Sequence, residues 1–394
     1  MRQAFRFKLY QHKRNRHLDR AIDIAASAWN HAVALHRCYY RLFGKMLPKA
    51  KLQSHLAKLR QTTHQEWLVL NSQTLQQICD RLYLGWQAFF DGNAKRPPTF
   101  RKRLKYRSIT FKQCGYKLLG HGRIQIGART YRFWQSQAIE GVIKTVTVSR
   151  NAVGEIFVSF SCDEGWPCDP MPKTGETAGM DRGLKDFGTL QSGERIKAPQ
   201  PLKQALSEIR DLSRDLSRKV KGSNGRKKAR VALARAHEHV ANVRSEWHHN
   251  TARDLVRRFD MITIEDLSVK GMSKLWGRKA ADLGLADFAL TLEHQARKAG
   301  KTVVKYPRFS RSTGICPLCR AEHKLQLWER TFECCAVAWN RDQAAAIILD
   351  EAGCGLGPGV GVRPGGVSLR QPALVTAGSQ LGDAGSVCAE SHGL

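Results

Sequence analysis

The chain has 394 residues, 65 of them Lys or Arg and 34 Asp or Glu, for a formal net charge of +31. With 42% hydrophobic residues it can bury several cores, which excludes a disordered tail or a fibre, and no run approaches the ~18 consecutive apolar residues of a membrane span. So large a positive excess repels itself unless a polyanion neutralises it, so nucleic acid rather than a membrane is the expected partner.

In chain order, a short strand over Phe5 to Tyr10 leads into a helix over 17–43, with apolar groups at Leu18, Ile22, Ala25, Trp29, Val33 and Leu35. A second helix starts after Asn71-Ser72, a capping pair, and carries Leu75, Ile78, Leu82, Trp86 and Phe89 on one face. At helical spacing that aromatic stripe reads as core rather than as a base-stacking platform. The segment KRPPTFRKRLKYR then holds Lys95, Arg96, Arg101, Lys102, Arg103, Lys105 and Arg107 without an acid. Phe100 and Tyr106 interleave with the charges, the pattern of a phosphate-tracking strand with stacking groups. A solvated basic loop is the alternative.

Residues 108–163 change character. SITFKQ, GRIQIG, KTVTVSR and EIFVSFSC are short, alternating and rich in β-branched and aromatic residues, which predicts a small antiparallel barrel or sandwich. The strand at 5–10 could pair into it, making the intervening helices an insertion. GWPCDPMPKTGET reads as a linker. Beyond it TAGMDR is a strand, KDFGTLQSGERIKA a hairpin turning at Ser192-Gly193, and 200–218 and 226–259 are polar helices flanking GSNG. DMITIED is a strand, 284–299 a helix and KTVVKY another strand; from Gly353 on, Gly and Pro predict a mobile tail.

Three acids sit where an open α/β sheet presents active groups. Asp181 ends the strand TAGMD, Glu265 ends MITIE, and Asp342 lies two residues past Asn340, which can cap the helix that follows. If a fold gathers them, their mutual repulsion calls for a hard divalent cation, Mg²⁺ or Mn²⁺. Taken singly, an acid at a strand end is usually just a solvated turn residue, and periodicity does not show that the three converge.

Eleven cysteines, an odd number, without the apolar run of a secretory signal in MRQAFRFKLYQHKRNRH, point to a reducing cytoplasm rather than to a disulfide framework. Cys316 and Cys319 form a Cys-x₂-Cys knuckle suited to a structural Zn²⁺, and Cys334 and Cys335 follow. The second pair is incomplete, because Val337 and Phe332 stand where a knuckle would need cysteine. Adjacent cysteines reach one tetrahedral ion with difficulty, which leaves His323 as an alternative fourth ligand and a metal-free remnant as the other reading.

The motifs FRFKLY, FFDGNAKRPPTFRKR, VSFSCDE, AGMDRGLKDF, TIEDLSVKGM, CPLC and NRDQAAA, in this order, resemble TnpB, the transposon-encoded family related to type V CRISPR nucleases. The resemblance runs to about residue 350. It implies a multidomain α/β plus β-barrel protein, with a RuvC-like nuclease core of the RNase H fold over 178–311 and 339–352. A zinc-ribbon insertion would occupy 312–338, a wedge-like β-barrel 1–12 and 95–164, and a helical recognition lobe 13–94. A linker over 165–177 and a disordered tail over 353–394 complete the division. It further implies an RNA-guided DNA endonuclease with Asp181, Glu265 and Asp342 as its metal-binding triad. The partners would be a guide RNA from the transposon end and double-stranded target DNA beside a transposon-adjacent motif, gripped by a monomer on one RNA. Where the family writes an acid before the Arg-Asp pair and an Asn after it, this chain has Asn340 and Ala344, so a nuclease-inactive RNA-guided binder is the alternative.

Overall fold

Alternation in the first strand and in IFVSFSC joins the two ends of the first unit. In the computed structural model, β1 (Arg2–Lys8) runs antiparallel to β7 (Ile156–Asp163), with Phe5 opposite Phe160 and Phe7 opposite Val158. The structure describes residues 2–13, 15–112, 114–163, 170–308, 310–326 and 328–355. These residues form two compact units. The first takes in the described residues up to 171 with 199–250 and 297–300, and the second the remainder.

Between the two end strands of the first unit the chain forms three helices, α1 (Asn15–Phe43), α2 (Lys49–Gln61) and α3 (Ser72–Phe90). The strands β2 (Ser108–Phe111), β3 (Tyr116–Gly120), β4 (Arg123–Ile126), β5 (Arg129–Arg132) and β6 (Val142–Arg150) follow. One sheet has the order β1-β7-β6-β2 and a second the order β3-β4-β5, every neighbour antiparallel. A bridge between Leu9 and Phe133 links them, and the Phe7 ring lies 5.3 Å from Phe133 and 6.0 Å from Phe160.

The helices bury Ile22, Trp29, Val33, Leu52, Leu56, Ile78 and Leu82 in the same core as the strands. Each such side chain contributes roughly 1.5–3 kcal/mol of transfer free energy. The Asn71 side-chain oxygen caps α3 by accepting the Gln73 N–H at 2.9 Å. No sequence reading anticipated α2, whose polar length is anchored by only two fully buried leucines. The unit also includes α4 (Pro201–Gln204), α5 (Leu206–Arg218) and most of α6 (Asn224–Arg258), where Ile209, Ala236 and Val240 form a small core of their own.

The second unit is built on a mixed sheet. β8 (Thr177–Asp181), β9 (Gly188–Leu190), β10 (Arg195–Ile196), β11 (Met261–Glu265) and β12 (Thr302–Tyr306) take the order β10-β9-β8-β11-β12. β11 is central and parallel to both neighbours, and its inner residues Ile262, Thr263 and Ile264 are fully buried, as a parallel strand covered on both faces requires. Between β11 and β12 run α7 (Val269–Leu283), which the sequence reading did not anticipate, and α8 (Leu285–Lys298). Phe288 of α8 meets Phe187 edge to face at 4.8 Å.

A hairpin of β13 (Thr331–Cys334) and β14 (Val337–Asn340) feeds directly into α9 (Arg341–Gly353), which packs on β8 and β11. That approach needs bare backbone: a Cβ on Gly179 would fall 1.9 Å from the Ala346 carbonyl oxygen, and one on Gly353 1.9 Å from Thr263 Oγ1. Ala344, Ala345 and Ala346, all fully buried, complete the fit. The expected tail from residue 356 on and residues 164–169 of the expected linker lie outside the described residues. Among the described residues no helix is long and apolar enough to cross a membrane.

Candidate functional site

Topology brings the three acids together within the second unit. Met180 and Ile264 are neighbours in the parallel β8–β11 pair, so Asp181 and Glu265 emerge side by side at the same end of the sheet. Asp342 enters from the first turn of α9, where the Asn340 side chain caps the helix by accepting the N–H groups of Asp342 and Gln343 at 3.1 and 3.2 Å. Asp181 lies deepest. Burial, then the negative charges of Glu265 and Asp342, push its carboxyl up to about 8 against the opposing pull of Arg341 and Arg182. Burial and the two neighbouring carboxylates thus oppose ionisation of Asp181, even with Arg182, Arg330 and Arg341 beside the three acids.

Residues that the sequence reading passed over hold this cluster. The Ser312 hydroxyl donates to the Glu265 carboxylate. Arg330 and Arg341 each stand 3.4 Å from an Asp342 oxygen, from opposite sides of the hairpin-to-helix junction. Arg182 is buried and donates to the backbone carbonyls of Glu265 and, at 3.1 Å, Leu285, tying the end of β11 to the start of α8. A cavity of about 320 Å³ opens beside Glu265, lined by Ser310, Arg311, Ser312 and Thr313. The signal for Arg182 was its place beside Asp181; for Ser312 and Arg330 no local pattern exists, because their partners are distant in sequence.

The four clustered thiols also meet. Ligand atoms of Cys316, Cys319, Cys334 and Cys335 all lie within 4.8 Å of one another, with Cys319 and Cys334 sulfurs 3.4 Å apart and those of Cys334 and Cys335 3.9 Å. Sulfurs around a tetrahedral Zn²⁺ stand about 3.8 Å apart for bonds of about 2.3 Å. The expectation that adjacent cysteines would not both reach is thus corrected, and the reason is the turn. Cys335 and Ala336 form the two-residue loop of the hairpin with φ of 55° and 58°. This left-handed pair swings Cys335 back beside Cys334. His323, the alternative ligand, instead packs its ring 4.9 Å from Phe332. A hydrogen bond from the Ala321 backbone brings the Cys319 thiol down to about 7, while sharing with Cys319 pushes Cys334 up to about 12.

All seven basic residues of 95–107 are exposed, at Lys95, Arg96, Arg101, Lys102, Arg103, Lys105 and Arg107. The loop is seated on α1: Trp29 donates to the Thr99 carbonyl at 3.1 Å, Arg37 to that of Pro98 at 2.8 Å, and Asn30 pairs with the Arg101 backbone in both directions. Phe100 is exposed, but Tyr106 is only 5% exposed and packs 6.2 Å from Trp29. Its reading as a stacking group is therefore corrected to a core anchor. A cavity of about 840 Å³ beside the loop is lined by Arg81, Arg96, Arg101, Lys105 and Arg107.

Comparison with known proteins follows the same outline. A family model described as "Probable transposase" (OrfB of IS605) matches residues 147–275, and one described as "Cas12f1-like, TNB domain" matches 286–349. A Streptomyces pristinaespiralis protein named "Putative RNA-guided DNA endonuclease" is 30% identical over 304 residues, covering 75% of either chain. InsQ of Escherichia coli K12, named likewise, is 30% identical over 278 residues, covering 69% of this chain and 68% of its own. Among solved structures, the protein of a Cas12f1–sgRNA–target DNA complex superposes with a TM-score of 0.53 at 12% identity, covering 85% of this chain and 82% of that one.

Proposed function

Because the chain belongs to the TnpB family, we propose that it is an RNA-guided DNA endonuclease that hydrolyses DNA complementary to a transposon-end guide, beside a transposon-adjacent motif. The single observation that carries the reading is the convergence of Asp181 and Glu265, from adjacent parallel strand ends, with Asp342 from the capped start of α9. Three carboxylates gathered at one buried sheet end suit a divalent cation bound through oxygen. In this reading the three acids hold Mg²⁺ or Mn²⁺, which when bound supplies Lewis-acid activation of water and of the departing phosphodiester oxygen.

The chain's own groups have distinct tasks. Ser312 orients Glu265, and Arg182 fixes the strand end that presents it. Arg330 and Arg341 steady Asp342. The four thiols hold a structural Zn²⁺ in a ribbon over 312–338, inserted in a RuvC-like core of residues 178–311 and 339–352 that carries the three acids. Residues 1–12 with 95–164 act as the wedge and 13–94 as the recognition lobe; the exposed cations of 95–107 grip backbone phosphates while base pairing reads the sequence. Ala344, at the position of the family's asparagine, is fully buried with Cys316, Phe332 and Trp339, so the substitution is accommodated by packing.

Cleavage of a plasmid carrying a guide-matched site, by the protein with its guide RNA and Mg²⁺, tests the proposal. The expected result is cutting that Asp181→Ala abolishes while RNA and DNA binding persist. Binding without cutting in the unaltered protein would leave only a guided binder.

A further inference from the structure

A third cluster of metal-ligand side chains lies in the three-helix part of the first unit. His31 of α1 and His55 of α2 approach through their Nε2 atoms at 3.2 Å, their rings stacked with centroids 5.4 Å apart. His64, in the turn after α2, stands edge-on to His31 at 5.7 Å. Its Nδ1 is 2.9 Å from a Glu66 carboxylate oxygen, to which it donates. Such a carboxylate behind an imidazole is the usual support of a metal-binding histidine.

The floor is rigid. Trp67 is 1% exposed, donates its indole N–H to Ser27 Oγ at 2.9 Å, stacks on His64 at 4.3 Å and meets the edge of His31 at 5.7 Å. Two imidazole nitrogens on one tetrahedral metal stand about 3.3 Å apart, given metal–nitrogen bonds of about 2.0–2.1 Å. The 3.2 Å between His31 and His55 matches that spacing. Two neutral imidazoles in contact otherwise share one N–H···N bond.

We propose that His31 and His55 form a two-histidine site for a divalent transition metal of the zinc class that staples α1 to α2, with the Trp67-stacked His64 at its edge. Imidazole ligands suit Zn²⁺, Cu²⁺ and Ni²⁺. The site is independent of the endonuclease reading, and its test does not use cleavage.

The test is equilibrium dialysis of the RNA-free full chain against Zn²⁺, with bound metal counted per chain and the melting temperature recorded with and without zinc. His55→Gln and His31→Gln are each expected to bind one zinc fewer than the unaltered protein and to lose part of the zinc-induced rise in melting temperature. Glu66→Gln, whose carboxylate bonds His64 and not the pair, should keep the count. Cys316→Ser should remove a different equivalent, so its combination with His55→Gln loses both. His55 is partly exposed, so its variant remains informative even if His31→Gln folds poorly. Equal zinc stoichiometry in His55→Gln and the unaltered chain overturns the site and leaves a plain N–H···N bond.

Discussion

The acid cluster and the thiol cluster occupy the same unit but are assembled by opposite means. The thiols come from two tight turns, Cys316–Cys319 and the loop of the β13–β14 hairpin, so nearly everything that positions them is local. The carboxylates come from two strand ends and a helix start, and they meet only because α9 lies against the glycine of β8. One site thus depends on turn conformation and the other on long-range packing. Damage to the packing should separate them.

The largest expected effect is chemical. Asp342→Ala should lower guided cleavage by about a thousandfold or more, measured as single-turnover rate, with little change in RNA binding. Next, Gly179→Val drives a side chain into the Ala346 carbonyl and should destabilise the second unit by about 3–5 kcal/mol in denaturant titration. The same variant should still bind Co²⁺ with the absorption of a tetrahedral thiolate site. Loss of both sites together would break the distinction.

Proton linkage sharpens it further. Asp181 is raised from 3.8 in the unfolded chain to about 8 in the fold, so the metal-free fold binds the extra proton between those values. Its stability should therefore fall as pH rises from about 4 to about 8, and Asp181→Asn should remove that slope, melting higher than the unaltered protein at about pH 8 but not at about pH 4. Mg²⁺ must displace the proton, so its apparent affinity should climb up to tenfold per pH unit below about 8, with proton release visible by calorimetry in two buffers. The smallest effect belongs to the turn: Ala336→Gly relieves a left-handed alanine and should stabilise the metal-free hairpin by about 1 kcal/mol.

The contrast also explains what was legible in the sequence. TAGMD and MITIE announce strands ending in acids, and Asn340 announces a helix cap, because each signal is contained within a few residues. Convergence was not legible, since it rests on Gly179 facing Ala346. Nor was the reach of Cys335: two consecutive left-handed residues without glycine or asparagine contradict ordinary turn preferences, so the sequence pointed to a broken knuckle. Tyr106 was misread because a loop has no periodicity to mark which aromatic turns inward, and Trp29, its partner, lies on another element. The small Ala344, Ala345 and Ala346 did announce a helix packed closely on the sheet, whereas the histidine contact is visible only in three dimensions.

The hairpin between the two sites has a mechanical consequence. Its ladder runs from Cys334–Val337 to Thr331–Asn340 and continues by one bond, from the Arg341 N–H to the Arg330 carbonyl at 2.8 Å. It is a stiff lever about 10 Å long, pivoting on sulfur at one end and carrying both arginines and an aspartate at the other. Loosening the sulfur end would swing that aspartate, so the occupancy of a remote ion would be felt as a change in catalytic geometry, with no messenger other than a pair of strands.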